Sequence, residues 1–160
     1  MRLTAATLGA LVKYPRPAHV DEQVRYGKHG YFVHDAELFA EVFTNIGRKP
    51  DGCGQYARHP LAFLSEAADD ICYAIIDLED GCRAGLLSHA DAFEVLEDLK
   101  TGATGSSSMP DDDRLSMGRA MVINELVNQS VEIFREHLGS ILDGRFTGSL
   151  VGRIPAAKAH

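Results

Sequence analysis

The segment that begins at His59-Pro60 carries the most regular apolar pattern in the chain. Its apolar residues recur at alternating spacings of three and four: Leu61, Leu64, Ala68, Ile71, Ile75 and Leu78. Because an α-helix turns once in about 3.6 residues, this spacing places all of these side chains on one face. Proline is favoured at the first helical position, so the helix is predicted to start at Pro60. The pattern therefore predicts a long amphipathic helix at the centre of the fold.

Two shorter helices are predicted upstream of this segment. The first ends before Pro15, because proline cannot continue a helix. The second runs from Asp35 to Ile46, with Asp35 as its N-cap and Gly47 at its C-terminal end. Residues 18–34 lie between the two and show no helical period, which predicts a loop or a short extended piece.

Two more helices are predicted downstream. Ser88-His89-Ala90-Asp91 resembles a capping box and opens a helix that extends to about Lys100. Residues 101–113 are rich in glycine, serine and aspartate, which is typical of a flexible linker. A last long helix covers roughly Leu115–Leu138 and closes before Gly139. Together these patterns predict an all-α fold, a helical bundle, of ordinary single-domain size.

The charge balance excludes several classes of protein. The 160 residues carry 16 basic and 23 acidic side chains, for a formal net charge of −7. Non-specific nucleic-acid binders are expected to be basic, so nucleic acid is a disfavoured partner. No apolar run approaches the roughly 18 residues of a membrane span. Cys53, Cys72 and Cys82 form no CxxC pair, which indicates reduced thiols and a cytoplasmic protein.

The acidity is concentrated between residues 60 and 100, which hold ten acidic and two basic side chains. On a helical wheel, five carboxylates and a tyrosine of the long helix fall within an arc of about 100°. The members of this arc are Glu66, Asp69, Asp70, Tyr73, Asp77 and Asp80. No Lys or Arg lies among them at the spacing that forms i±4 pairs. The arc is either the solvated face of an amphipathic helix or the wall of a polar, cation-binding pocket, and the wheel does not choose between them.

Two lysines and one histidine-aspartate pair are the remaining candidates. Lys13 and Lys28 each lie beside a tyrosine or a loop glycine. They are either ordinary surface lysines or an electrostatic clamp for an anion such as phosphate. The His34-Asp35 dipeptide could belong to a metal site, but helix capping by Asp35 explains it more simply.

The run Arg58–Gly81, which contains Ser65-Glu66-Ala67-Ala68-Asp69-Asp70-Ile71-Cys72-Tyr73, resembles the signature of the dGTPase family. These enzymes are deoxynucleoside triphosphate triphosphohydrolases of the HD superfamily. The upstream segments Thr7–Pro15 and Lys28–Phe32 agree with the same family. The resemblance covers roughly residues 2–85 well and the rest of the chain weakly.

The resemblance implies a role for five residues. Asp69 corresponds to the family's final metal ligand and would hold a divalent cation, Mn²⁺ or Mg²⁺. Tyr73 and Asp77 correspond to residues that contact the deoxyribose. Lys13 and Lys28 correspond to lysines that contact the triphosphate. The implied substrate is a dNTP, with dGTP as one candidate, and the products are the deoxynucleoside and tripolyphosphate.

The family's other metal ligands and its catalytic histidines precede the Lys13-Tyr14-Pro15 segment and are absent from this sequence, so the catalytic residues are unknown here. The resemblance therefore implies a partial HD-domain architecture. Residues 1–100 would be the C-terminal part of the catalytic domain, 101–113 a linker and 114–160 a helical extension. We expect the chain to be inactive on its own.

A second hypothesis belongs to another class. The chain would be a non-catalytic helical module that binds a partner or oligomerises. Under the enzyme hypothesis, the expected partner is either a second copy of the chain, in a homo-oligomer, or the missing N-terminal half. In that case apolar surface should be exposed where that half packs.

Overall fold

A computed structural model describes residues 3–18, 28–99 and 109–155. Within these ranges the chain forms six α-helices and one parallel pair of two-residue strands. The helices are α1 Ala5–Leu11, α2 Ala36–Asn45, α3 Pro60–Arg83, α4 His89–Asp98, α5 Asp111–Glu136 and α6 Leu138–Leu142. The strands are β1 Pro17–Ala18 and β2 Tyr31–Phe32, with Pro17 opposite Tyr31. The all-α prediction is confirmed.

Helix α3 begins as its sequence predicts. Pro60 is its first residue, and the ring Nδ1 of His59 accepts a hydrogen bond from the backbone N–H of Leu61 at 3.1 Å. At the other end Gly85 adopts a left-handed conformation with φ of 70°. This turn lets the N–H of Leu86 reach the carbonyl of Gly81 at 2.9 Å, which satisfies a carbonyl that the helix leaves unpaired.

The chain divides into two compact units. The first comprises Met1–Glu66 and Leu138–Thr147, and the second comprises Ala67–His137 and Gly148–His160. The core of the first unit is aromatic, because the rings of Tyr31 and Phe39 stack at 4.0 Å and those of Phe39 and Phe43 at 4.3 Å. Ile141 of α6 is fully buried in the same unit.

The second unit has an aliphatic core formed by α3, α4, α5 and the segment after α6. Its buried members include Ile71, Ile75, Leu96, Leu115, Val122, Leu126 and Ile154. One charged side chain, Glu79, is buried as well. Its carboxylate contacts the guanidinium of Arg119 and lies 2.6 Å from that of Arg83, so the buried charge is neutralised.

Two predicted helix ends differ from the structure. Asp35 precedes α2 but makes no capping hydrogen bond with its side chain. A 3₁₀ turn, Val33–Asp35, runs directly into the helix, and the N–H of Ala36 bonds to the carbonyl of Val33. Gly139 does not close the last long helix either, because it lies inside α6. The burial of Ile141 outweighs the roughly 1 kcal/mol that glycine costs in a helix.

The region after α4 also differs in detail. Helix α5 begins at Asp111, so the last three residues of the predicted linker, all aspartates, form its first turn. Negative charge is favourable there because the N-terminal end of a helix carries a partial positive charge. Lys100 and residues 101–108 lie outside the described residues. No helix in the described ranges is long and apolar enough to span a bilayer.

Candidate anion-binding site

The three family-implied residues of α3 share an exposed face in the second unit. Asp69, Tyr73 and Asp77 follow one another at single-turn spacing, and the Tyr73 side chain is 66% exposed. Asp80, on the same arc, lies 3.8 Å from Arg83 three residues later. The prediction excluded basic partners only at the i±4 spacing, so it does not cover this pair.

Lys13 and Lys28 lie in the first unit, and the structure brings both close to Tyr14. Lys13 precedes Tyr14 in the chain, and the ammonium of Lys28 donates to the Tyr14 hydroxyl at 3.0 Å. The same ammonium lies 5.0 Å from the centre of the Tyr14 ring. Tyr14 therefore connects Lys28, through a side-chain hydrogen bond, to the segment that carries Lys13.

A pocket of about 200 Å³ opens beside Tyr14. Its lining contains three cationic residues. We call the pocket with its whole lining the basic pocket: Lys13, Tyr14, Pro15, Arg16, Gln55, Tyr56 and Arg58. No carboxylate is part of this lining. Several cations and a phenol around a small cavity suit an anion with several oxygens, such as a phosphate group.

A buried carboxylate lies behind the basic pocket. Glu66 accepts a hydrogen bond from the Tyr14 hydroxyl on one oxygen, at 3.1 Å. Its other oxygen accepts from the Arg58 guanidinium, at 2.6 Å. The side chains of Arg58 and Glu66 are only 16% and 7% exposed, and Arg58 also stacks 4.2 Å from the ring centre of Phe63.

Sequence reasoning missed this ion pair. On the helical wheel Glu66 belongs to an arc with no Lys or Arg at i±4. Arg58 does not appear on that wheel because it lies outside α3. Arg58 precedes α3 and reaches Glu66 across eight residues, from the extended segment before Pro60. The signal available in the sequence is the presence of Arg58 and Glu66 in the same family-like run.

Gly30 packs against the backbone of the segment that carries Lys13 and Tyr14. Its N–H donates to the carbonyl of Arg16 at 3.1 Å. A Cβ atom at this position would lie 2.2 Å from the carbonyl oxygen of Tyr14 and 2.7 Å from a methyl group of Val12. The backbone of the Lys13-Tyr14 segment can therefore pass this closely only beside glycine.

A second cavity of the first unit is apolar. It occupies about 430 Å³ between α1 and α2, and we call it the α1–α2 groove. Its lining residues are Leu8, Leu11, Val12, Gly30, Tyr31, Asp35, Leu38, Phe39, Val42 and Phe43. Leu11 and Leu38 are 67% and 65% exposed, although the pattern of α2 predicts Leu38 on its apolar face.

The described residues do not form a complete metal site. They contain no cluster of three His, Cys, Asp or Glu side chains that could hold an ion. Asp69 is therefore not joined there by the further ligands that a divalent cation requires. His34 and Asp35 lie 3.2 Å apart, and both side chains are substantially exposed.

The chain was compared with known proteins. No family model matches it. A deoxyguanosinetriphosphate triphosphohydrolase-like protein of Synechocystis is 38% identical over 164 residues. A protein of the same description from Listeria monocytogenes is 31% identical over 168 residues, and the deoxyguanosinetriphosphate triphosphohydrolase of Salmonella paratyphi A is 30% identical over 176.

These similarities extend over nearly all of this chain and over a limited part of each relative. They cover 94% of this chain but 36%, 35% and 34% of the three relatives. The chain thus spans about a third of the length of the curated proteins it matches. The sequence resemblance noted above and these similarities agree: over nearly its whole length, the chain is similar to proteins of the deoxyguanosinetriphosphate triphosphohydrolase family.

Proposed function

We propose that this chain contributes the triphosphate-binding and sugar-facing part of a deoxynucleoside triphosphate triphosphohydrolase. The observation that carries the proposal is the basic pocket, in which Lys13, Arg16 and Arg58 line a small cavity beside Tyr14. Relatives that are named for hydrolysis of dGTP supply the substrate class. In this proposal Lys13 and Lys28 bind phosphate oxygens.

Residues on the exposed face of α3 would have the other roles that the family resemblance implies. Tyr73 and Asp77 would contact the deoxyribose, and Asp69 would supply one carboxylate to a Mn²⁺ or Mg²⁺ site. A bound divalent cation would polarise a phosphoryl oxygen. Because the described residues do not complete that site, we assign no chemical step to this chain and expect it not to hydrolyse dGTP by itself.

Binding of tripolyphosphate by the chain tests the phosphate part of the proposal. Calorimetric titration at low salt should detect binding that weakens about tenfold or more in Lys13→Ala and Lys28→Ala, because each removes a charged hydrogen-bond donor. Lys49→Ala is the matched control, since Lys49 is an exposed lysine of the same unit that belongs neither to the basic pocket nor to the contact between Tyr14 and Lys28. Equal losses in all three variants would reduce the effect to net charge and contradict the proposal.

The catalytic part requires a separate assay. Incubation of the chain with dGTP and Mn²⁺ or Mg²⁺, followed by chromatography of deoxyguanosine and tripolyphosphate, should show no turnover. Turnover that disappears in Asp69→Ala would show that the chain holds a working metal site, and our expectation of inactivity would be wrong.

The α1–α2 groove favours a second candidate function, a helical module that associates through an apolar surface. Exposed Leu11 and Leu38 side chains at one groove are typical of an interaction surface. A chain with this function would not bind tripolyphosphate. Because a second copy of the chain is also an expected partner of the enzyme, tripolyphosphate binding is the measurement that separates the candidates.

A further inference from the structure

We infer that Glu66 is a positioning residue beside the basic pocket, which acts through the Tyr14 hydroxyl on the ammonium of Lys28. Lys28 does not line the pocket itself but contacts Tyr14, which does. This inference rests on the proposed phosphate-binding function. Three consecutive contacts support it. Glu66 accepts the Tyr14 hydroxyl at 3.1 Å, the Tyr14 oxygen accepts Lys28 at 3.0 Å, and Arg58 holds the other oxygen of Glu66 at 2.6 Å.

The direction of each hydrogen bond follows from the groups involved. An ionised carboxylate only accepts, so the phenolic proton of Tyr14 points at Glu66. The phenolic oxygen then presents its lone pairs away from Glu66, and an ammonium can only donate to them. The carboxylate therefore fixes the orientation of the hydroxyl, and the hydroxyl fixes where the Lys28 ammonium lies.

Arg58 makes this arrangement possible in a buried place. A carboxylate that is 7% exposed carries a large desolvation cost unless a cation and hydrogen bonds offset it. The guanidinium of Arg58 supplies that cation, and Tyr14 supplies the second hydrogen bond.

The variant Glu66→Gln separates positioning from simple electrostatics, because the two predict opposite signs. Removal of a negative charge behind a basic pocket makes the local potential more positive and strengthens anion binding. Glutamine, however, has one acceptor oxygen where glutamate has two. With that oxygen facing Arg58, the amide N–H₂ faces Tyr14 and competes with Lys28 for the phenolic oxygen.

We expect Glu66→Gln to weaken tripolyphosphate binding by about three- to tenfold, the usual range for a lost hydrogen bond. Titration calorimetry at low salt measures this, and the thermal midpoint shows that the variant is folded. Tighter or unchanged binding in a folded variant would overturn the inference while the proposed function stands. No binding by the unaltered chain would overturn both.

A pair of double-mutant cycles tests whether Glu66 acts through Lys28. In a Lys28→Met background, Glu66→Gln should no longer weaken binding, because its target has been removed. In a Lys13→Met background the loss should persist in full. A purely structural role for Glu66 would produce the same loss in both backgrounds and would contradict the inference.

Tyr14→Phe provides the second variant if Glu66→Gln does not fold. It removes the hydroxyl alone and leaves the pair between Arg58 and Glu66 intact. The same two backgrounds apply: its effect should vanish with Lys28→Met and persist with Lys13→Met. An effect that survives in the Lys28→Met background would show that the hydroxyl binds the anion directly, and positioning through Lys28 would be excluded.

Discussion

Arg58 and Glu66 form an ion pair whose burial distinguishes it from the surface pair of Asp143 and Arg145. The side chains of the first pair are 16% and 7% exposed, whereas Arg145 is 74% and Asp143 57% exposed. Removal of one partner from a buried pair leaves a charge without compensation, and removal from an exposed pair leaves a charge in water. The two pairs belong to the same compact unit and therefore form a matched comparison.

Arg58→Ala should lower the free energy of unfolding by about 3 kcal/mol, because it leaves Glu66 buried without its cation. Arg145→Ala, the matched control, should cost no more than about 1 kcal/mol. Urea denaturation followed by circular dichroism measures both. Equal losses would show that burial of the pair has no energetic consequence.

His59 predicts a specific pH dependence. Burial, and then the charge of Arg48, lower the pKa of His59. At a pH between the folded and unfolded pKa values, His59 therefore binds more protons in the unfolded chain than in the folded chain. The resulting stability is present above the unfolded pKa of about 6.5 and is lost as the pH falls below it. Protonation of Nδ1 would also remove the acceptor of the Leu61 N–H.

His59→Asn tests this dependence, because asparagine keeps a side-chain acceptor at the start of α3 and does not titrate. Between about pH 8 and pH 5, the unfolding midpoint of the unaltered chain should fall further than that of the variant. Parallel curves over this range would show that His59 does not contribute to the acid sensitivity.

At the level of single residues, the sequence predicts roles for two lysines but not their surroundings. The roles of Lys13 and Lys28 come from the family resemblance and stay predictions, whereas the contact of Lys28 with Tyr14 comes from the structure. The sequence does not reveal the pairing of Arg58 with Glu66. The two side chains meet only because the non-helical segment before α3 folds against the first turns of that helix. The roles of Asp69, Tyr73 and Asp77 stay predictions.

Among the helices, α4 has a clear side-chain cap. The Ser88 hydroxyl accepts from the N–H of Asp91 at 3.1 Å, as the capping-box pattern predicts. The carboxylate of Asp91 in turn accepts from that hydroxyl at 2.6 Å. This short carboxylate therefore reaches the Ser88 side chain, whereas a longer glutamate reaches the backbone of the cap residue in the usual box.

Ser88→Ala should lower the free energy of unfolding by about 1 kcal/mol, because the N–H of Asp91 loses its acceptor. Ser65→Ala is the control, since Ser65 lies inside α3 and its hydroxyl bonds back to the carbonyl of Ala62. Alanine is the better helix former there, so this change should be neutral or slightly stabilising. A loss of equal size in both variants would exclude a capping role for Ser88.

The helices with local signals are the ones the sequence predicts well. Pro60 and Ser88 mark the starts of α3 and α4, because proline and serine satisfy or avoid free N–H groups at a helix start. Helix α6 and the segment after it have no such signal. Ile141, Leu150 and Ile154 are nevertheless fully buried, which periodicity within one element does not reveal.

At the scale of the molecule, the α1–α2 groove is a large apolar surface in the first unit. Exposed leucines at a groove bind hydrophobic dyes, whereas a single exposed leucine binds them weakly. Leu86, in the second unit, is such an isolated residue, with 86% of its surface exposed. It lies outside the lining of the groove.

Leu11→Gln and Leu38→Gln should each reduce the fluorescence of a bound hydrophobic dye, because they place an amide in the groove. Leu86→Gln should leave it nearly unchanged. Sedimentation velocity over a range of concentrations shows whether the same substitutions also reduce self-association. A dye signal that falls equally in all three variants would contradict the groove as the binding surface.

Gly30 has a consequence for anyone who wishes to transplant or diversify this site. It carries no functional group, yet a single methyl group there would displace the backbone that presents Lys13 and Tyr14. A saturation library should therefore be depleted of every replacement at this position, although Gly30 itself is exposed. A designer who grafts the pocket onto another scaffold must therefore keep glycine at this position as well as the cations of the pocket.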